Sequence, residues 1–135
     1  MLKKWQIGSG FFDMLNEEAL SALSALGHAR RLDAFRLLVS AGPSGLLAGE
    51  VADRLNAKQN TMSTNLAVLL RARLVKARRE GRGVRYTADL DTFAAMLTFL
   101  IGDCCSGQPE LCDDVMRLIG ESTASKALVR EPENA

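Results

Sequence analysis

The stretch GEVADRLNAKQNTMSTNLAVLLRARLV, residues 49–75, decides the fold. A short helix is expected over Leu47–Leu55, with Val51, Ala52 and Leu55 on one side. Asn56-Ala57-Lys58 makes a tight turn. Gln59–Ala72 reads as the next helix, with Met62, Leu66, Leu69 and Leu70 turned inward. Two short helices joined by a few residues form a helix-turn-helix pattern.

Working outward, the period changes just downstream. Leu74 to Arg79 alternates, Glu80-Gly81-Arg82-Gly83 turns, and Val84 to Ala88 alternates again, which predicts a β-hairpin. Val84, Tyr86 and Ala88 share one face of it; Arg85 and Thr87 share the other. A helix-turn-helix followed by a basic hairpin is a winged helix. Upstream, apolar residues from Phe11 to Leu26 recur at helical spacing, in two pieces if Asn16 is an internal cap. Gly27 ends that segment. A further helix over Ala29–Ser40 places Leu32, Phe35, Leu37, Leu38 and Val39 largely on one side, and Gly42-Pro43-Ser44-Gly45 stops it. Downstream, Asp89 or Asp91 can cap a helix through Phe93, Met96, Leu97, Leu100 and Ile101, and Pro109 can open a last one to Ile119.

The expected fold class is therefore mainly α with a small β-hairpin. Residues 1–10 read as a loose arm and 11–103 as a winged helix-turn-helix domain for DNA binding and dimerisation. Residues 104–119 form a cysteine-containing segment, and 120–135 a polar, frayed tail. A chain of 135 residues, 47% apolar, suits one domain. No apolar run reaches the roughly 18 residues a membrane span needs, and no apolar stretch of signal-peptide kind follows Lys3-Lys4. A cytoplasmic protein with no membrane partner is expected.

The formal net charge of +1 hides a segregation. Between Arg54 and Arg85 there are nine Lys/Arg against one acid, Glu80, so that segment is +8 and the remainder −7. A solvated surface alone does not explain such clustering, whereas a face that meets a polyanion does. On the second helix of the pair, Gln59, Asn60, Thr61, Ser63, Thr64 and Asn65 are expected to be exposed. Their short hydrogen-bonding side chains suit base edges and phosphates. Arg82 at the hairpin tip is the expected wing contact to DNA.

Three segments together resemble the ArsR/SmtB family of winged-helix metalloregulatory repressors: ALGHARRLDAFRLL (25–38), residues 49–75, and REGRGVRYTADL (79–90). The likeness covers roughly residues 20 to 100. It implies a homodimer on double-stranded, pseudo-palindromic operator DNA that lets go when an ion binds. Pairing would run through the apolar faces near Phe11–Leu23 and Phe93–Ile101. Two ion sites of that family have no counterpart. Leu47 and Gly49 stand where one branch has a Cys-Val-Cys pair, and no histidine follows Asp89 and Asp91. Members of the family often carry Ser where Lys58 stands and His where Asn65 stands.

All three cysteines lie in CCSGQPELC, residues 104–112. An odd count excludes a complete internal disulfide framework. By resemblance to an arsenic-sensing branch, Cys104, Cys105 and Cys112 would ligate trivalent arsenic as inducer: arsenite, with antimonite and methylarsenite as alternatives. No organic cofactor is implied. Adjacent residues on an intact helix point about 100° apart, so Cys104 and Cys105 converge only where the helix ends. Zinc or cadmium held by the cysteines with Asp103 or Asp113, a thiol redox switch, and inert cysteines stay open as other readings. An enzyme is disfavoured. His28 is the sole histidine and reads as capping or packing. No Cys-x5-Arg phosphate loop exists, because Leu111 and Leu118 occupy the sixth position after Cys105 and Cys112. A dimeric thiol module that never reads DNA is the remaining class.

Overall fold

A computed structural model describes residues 5–7, 10–12, 16–104 and 109–129. Two strands, β1 (Trp5–Ile7) and β2 (Gly10–Phe12), pair antiparallel with Trp5 opposite Phe12. Helices α1 (Asn16–Leu26) and α2 (Ala29–Ala41) follow. A 3-10 turn (Gly42–Ser44) leads into strand β3 (Leu46–Leu47), helix α3 (Ala48–Arg54) and helix α4 (Gln59–Arg71). The hairpin β4 (Val75–Glu80) and β5 (Gly83–Ala88) comes next, then α5 (Leu90–Cys104) and α6 (Pro109–Val129). Residues 1–96 form one compact unit and 97–135 another.

The core of the first unit is aliphatic. Leu38, Val51, Met62, Leu66, Leu69, Leu74 and Val75 are fully buried. Met62, Leu66 and Leu69 fall at i, i+4 and i+7, one side of α4, where helical periodicity places them. Leu70, expected inward, is on the exposed side. On α1 the inward residues are Ala19, Ala22 and Ala25, while Leu20 and Leu23 face out. Small side chains bring α1 close to α2 and α4, and the larger leucines are left on the opposite side. On α2 the buried set is Ala34, Phe35 and Leu38, so Leu32 and Val39, expected on the inner side, are exposed. Phe35 packs on Phe93 of α5, ring centroids 5.1 Å apart, which anchors the start of that helix. Asp89 caps it: its Oδ1 accepts from the Thr92 N–H at 3.2 Å.

Three boundaries differ from expectation. The segment around residues 5–12 pairs as strands rather than an arm and a helix start. Aromatic and β-branched residues flank Gly8-Ser9-Gly10, a turn signal that helical spacing obscured. The last helix runs to Val129 instead of stopping at Ile119. Gly120 costs about 1 kcal/mol but does not break a helix that lacks an internal proline. Ion pairs of Arg117 with Asp114 and Glu121, and the Thr123 hydroxyl donating to the Ile119 carbonyl at 2.8 Å, support that polar run. The helix expected from Leu47 is preceded by β3, which the sequence pattern did not signal.

β3 makes the sheet three-stranded, in the order β3-β5-β4, with Leu46 opposite Tyr86 and Leu47 opposite Arg85. Its approach to β5 depends on Gly45, at φ +63°. A Cβ there would collide with the Tyr86 carbonyl oxygen. Glu50 secures the start of α3 by accepting the Leu47 N–H at 2.7 Å, half of a capping box, since Leu47 has no side-chain acceptor. Gly45→Ala should lower stability by about 2–3 kcal/mol through backbone strain plus steric clash. Gly81→Ala, at a similar φ but in open space, should cost about 1–2 kcal/mol. Urea denaturation of the two variants checks the order.

Candidate nucleic-acid interface

The α3–α4 turn is built by Asn56 at φ +57°, a left-handed position that Asn tolerates. The Ala57 N–H returns to the Ala52 carbonyl at 2.9 Å. α4 then starts after Lys58, whose backbone carbonyl accepts from Met62 but whose side chain makes no cap bond. The N-terminal amides of α4 are therefore left without a side-chain cap, at the positive end of the helix dipole.

Gln59, Asn60, Thr61, Ser63 and Thr64 are all exposed along α4. Gln59 lies over Gly49, and the Thr64 hydroxyl donates to the Asn60 carbonyl at 3.1 Å, leaving its oxygen as an acceptor. Asn65 departs from expectation. It is only 7% exposed and turned toward the interior, because it follows Met62 by three positions and precedes Leu69 by four. Its Oδ1 accepts from Arg31 Nη1 at 3.4 Å, while Arg31 Nε donates to the Ala25 carbonyl at 2.7 Å. One guanidinium thus joins the end of α1 to α4. Arg30 acts similarly, donating from Nη1 to the Leu55 carbonyl at 2.8 Å. Sequence reasoning missed both arginines, since two adjacent cations at a helix start carry no local signal of bonds to groups 25 and 34 positions away. His28 sits at the N-cap of α2 without a side-chain cap bond.

α4 ends with Arg73 at φ +65° and the Leu74 N–H bonded to the Leu69 carbonyl at 3.0 Å, a Schellman-type stop. The chain leaves it directly into the hairpin. Gly81, at φ +61°, supplies the left-handed position of the two-residue tip. Arg82 follows it, exposed and with no ion pair to a described residue. Lys76, Arg78 and Arg79 are exposed along β4. Arg78 pairs with Glu80 at 3.4 Å. Arg85 pairs with the same carboxylate at 2.8 Å and also donates to the carbonyls of Ser44 and Gly45 at 3.1 and 3.4 Å. Hydrogen bonding from Arg85 holds the Glu80 carboxyl below its ordinary range, and the same contact raises Arg85. The wing's one acid is thus consumed inside the hairpin, and most of its cations stay outward.

The proposed inducer set falls at the edge of the described residues. Cys104 is the last residue of α5, Cys112 lies in the first turn of α6, and Cys105 lies outside the described residues. Among the described residues no three metal-ligating side chains gather, and no helix is long and apolar enough to cross a membrane.

The burial of Asn65 yields a prediction. Asn65→Ala should cost about 1–3 kcal/mol of stability by stripping Arg31 of a partly buried acceptor. It should leave the salt dependence of any DNA binding unchanged, read by urea denaturation beside a salt titration.

Residues 26–78 match the profile of a helix-turn-helix domain family. The uncharacterised HTH-type transcriptional regulator YbzH of Bacillus subtilis is 31% identical over 90 residues, 67% of this chain and 90% of YbzH. The transcriptional activator HlyU of Vibrio cholerae is 34% identical over 83 residues, 62% of this chain and 74% of HlyU. The solved structure of reduced HlyU superposes with a TM-score of 0.51, at 30% identity, covering 62% of this chain and 86% of that one. An ArsR-like transcriptional regulator from Rhodococcus sp. RHA1 shares the fold, with a TM-score of 0.55 at 20% identity over 86% of this chain and 95% of that one. The helix-turn-helix pair, the β4–β5 wing and these likenesses converge: the chain belongs to the HTH-type transcriptional regulators, and its fold is a winged helix.

Proposed function

We propose that the chain is an arsenic(III)-responsive transcriptional repressor that binds a pseudo-palindromic operator as a homodimer. The observation that carries the DNA-binding half is the two-sidedness of α4. Met62, Leu66 and Leu69 hold one side in the core, and the other offers Gln59, Asn60, Thr61, Ser63 and Thr64. That side enters the major groove, and Arg82 meets the backbone beside it. Lys58 adds a cation next to the uncapped amides of α4, a combination that suits a phosphate.

Dimerisation is supported by apolar side chains left uncovered in a single chain. Leu20 and Leu23 on α1 are exposed. A second copy covering them would set the two reading heads about one duplex turn apart, roughly 34–36 Å.

The inducer is trivalent arsenic, held by Cys104, Cys105 and Cys112. Arsenic in this state is soft and takes three thiolates in a pyramid. The placement of Cys104 in the last described turn of α5 and of Cys112 in the first turn of α6 supports this. α5 is joined to the wing strand through one residue, Asp89, whose N–H donates to the Leu74 carbonyl at 2.8 Å. Ion binding at one end of α5 therefore acts on the helix that adjoins the DNA-reading unit at its other end. Arsenite, antimonite and methylarsenite share the thiol chemistry; methylarsenite needs only two sulfurs. A thiol redox switch through the same cysteines is the second reading, favoured by the HlyU likeness, whose solved structure is of a reduced form.

The test is a mobility shift on the duplex upstream of the chain's own gene, titrated with each arsenical and with peroxide under reducing and non-reducing conditions. Cys104→Ser, Cys105→Ser and Cys112→Ser should each retain DNA yet fail to release it with arsenite. A cysteine-free variant that still lets go defeats the arsenic mechanism, and release by peroxide alone favours the redox switch. Arg82→Ala should weaken DNA binding and reduce its log-salt slope by about 1. An unchanged slope removes Arg82 from the interface.

A further inference from the structure

We infer that Arg85 is the positioning residue of the wing: its guanidinium ties the hairpin to the Ser44–Gly45 turn and thereby sets where Arg82 is presented to DNA. The role rests on the DNA-binding reading above. It follows from where the third strand ends. β3 pairs only with Tyr86 and Arg85 of β5. Toward the tip, the pairs Arg79 with Val84 and Glu80 with Gly83 belong to a ribbon of two strands alone. An unsupported two-stranded ribbon is marginal and free to swing. Arg85 stands at that boundary, the last β5 residue that β3 holds.

From there its side chain reaches both ways. Nη1 donates back to the Ser44 and Gly45 carbonyls, and Nε donates toward the tip, to Glu80 Oε1 at 3.0 Å. Nη2 closes on the same carboxylate oxygen at 2.8 Å. Glu80 is the residue that opens the Gly81-Arg82 tip. One planar fork therefore connects the projecting end of the wing to the rigid turn at the base of the sheet. All three guanidinium nitrogens are engaged within the protein, so Arg85 acts through geometry rather than as a phosphate contact. Glu80 also offsets the repulsion between Arg78 and Arg85, which stand opposite each other in the ladder. A lysine would keep the charge at position 85 but lacks the fork.

The experiment uses the full chain as wild type, Arg85→Ala, Arg85→Lys, Arg82→Ala and the Arg82→Ala/Arg85→Ala double variant. Amide hydrogen exchange is measured first, without DNA. Exchange at Arg79–Gly83 should rise about tenfold in both Arg85 variants, with the α2 and α4 core amides unaltered. Unaltered tip amides, or acceleration everywhere, overturn the tether. Affinity for the upstream duplex is measured second. Arg85→Ala should weaken it about as much as Arg82→Ala, roughly tenfold, and the double variant should be no weaker than either single one. A multiplied loss, near a hundredfold, makes Arg85 a separate contact and overturns the role. A wild type that retains no duplex overturns the DNA-binding reading, and the positioning role with it, whatever the exchange data say of the tether.

Discussion

Burial of one side of α4 is the interaction on which the rest of the molecule depends. Met62, Leu66 and Leu69 are fully removed from water and pack among α2, α3 and the start of the sheet. Each such side chain contributes about 1.5–3 kcal/mol by leaving water. That anchoring leaves the opposite side of the same helix rigid and bare. A recognition surface needs both properties, because hydrogen-bonding side chains on a mobile helix lose their specificity to conformational entropy.

The cations of this chain do two different jobs. Arg30, Arg31 and Arg85 spend their donors on backbone carbonyls and internal acceptors, and they fasten α2, α4 and the wing to their neighbours. Lys76, Arg79 and Arg82 stay in solvent along the hairpin. The +8 of residues 54–85 therefore overstates the charge available to a polyanion, because Arg85 is engaged within the protein. The planar guanidinium suits the fastening role because it bonds several acceptors in one plane at little extra entropic cost.

Apolar surface is divided in a parallel way. Alanines on α1 sink into the core and leucines are left outside, the reverse of what residue size alone suggests. Close helix approach selects the small side chain for the inner position. The homodimer proposed above would draw on the leucines left outside in this manner. α6 also carries uncovered Val115, Leu118 and Ile119.

The sequence by itself determined the order of helices α1 to α5, the turn at Asn56, the hairpin and its tip and the clustering of positive charge; it narrowed the cap of α5 to Asp89 or Asp91, and the structure selects Asp89. These are local properties, carried by periodicity, by Gly and Asn at left-handed positions, and by short-range capping chemistry. The outward positions of Gln59, Asn60, Thr61, Ser63 and Thr64 were legible for the same reason. What tertiary structure decided is of another kind. Asn65 lies at the edge of the buried arc of α4, and the arrival of Arg31 from α2 supplies the partner that its inward amide needs. β3 is two residues long and has no pattern of its own; it exists because Gly45 lets the chain approach Tyr86. The inner side of α1 is set by how closely two other helices approach, which no window along the chain contains. Arg85 and Ser44 are 41 positions apart, so their bond follows from the fold rather than from any neighbourhood in sequence.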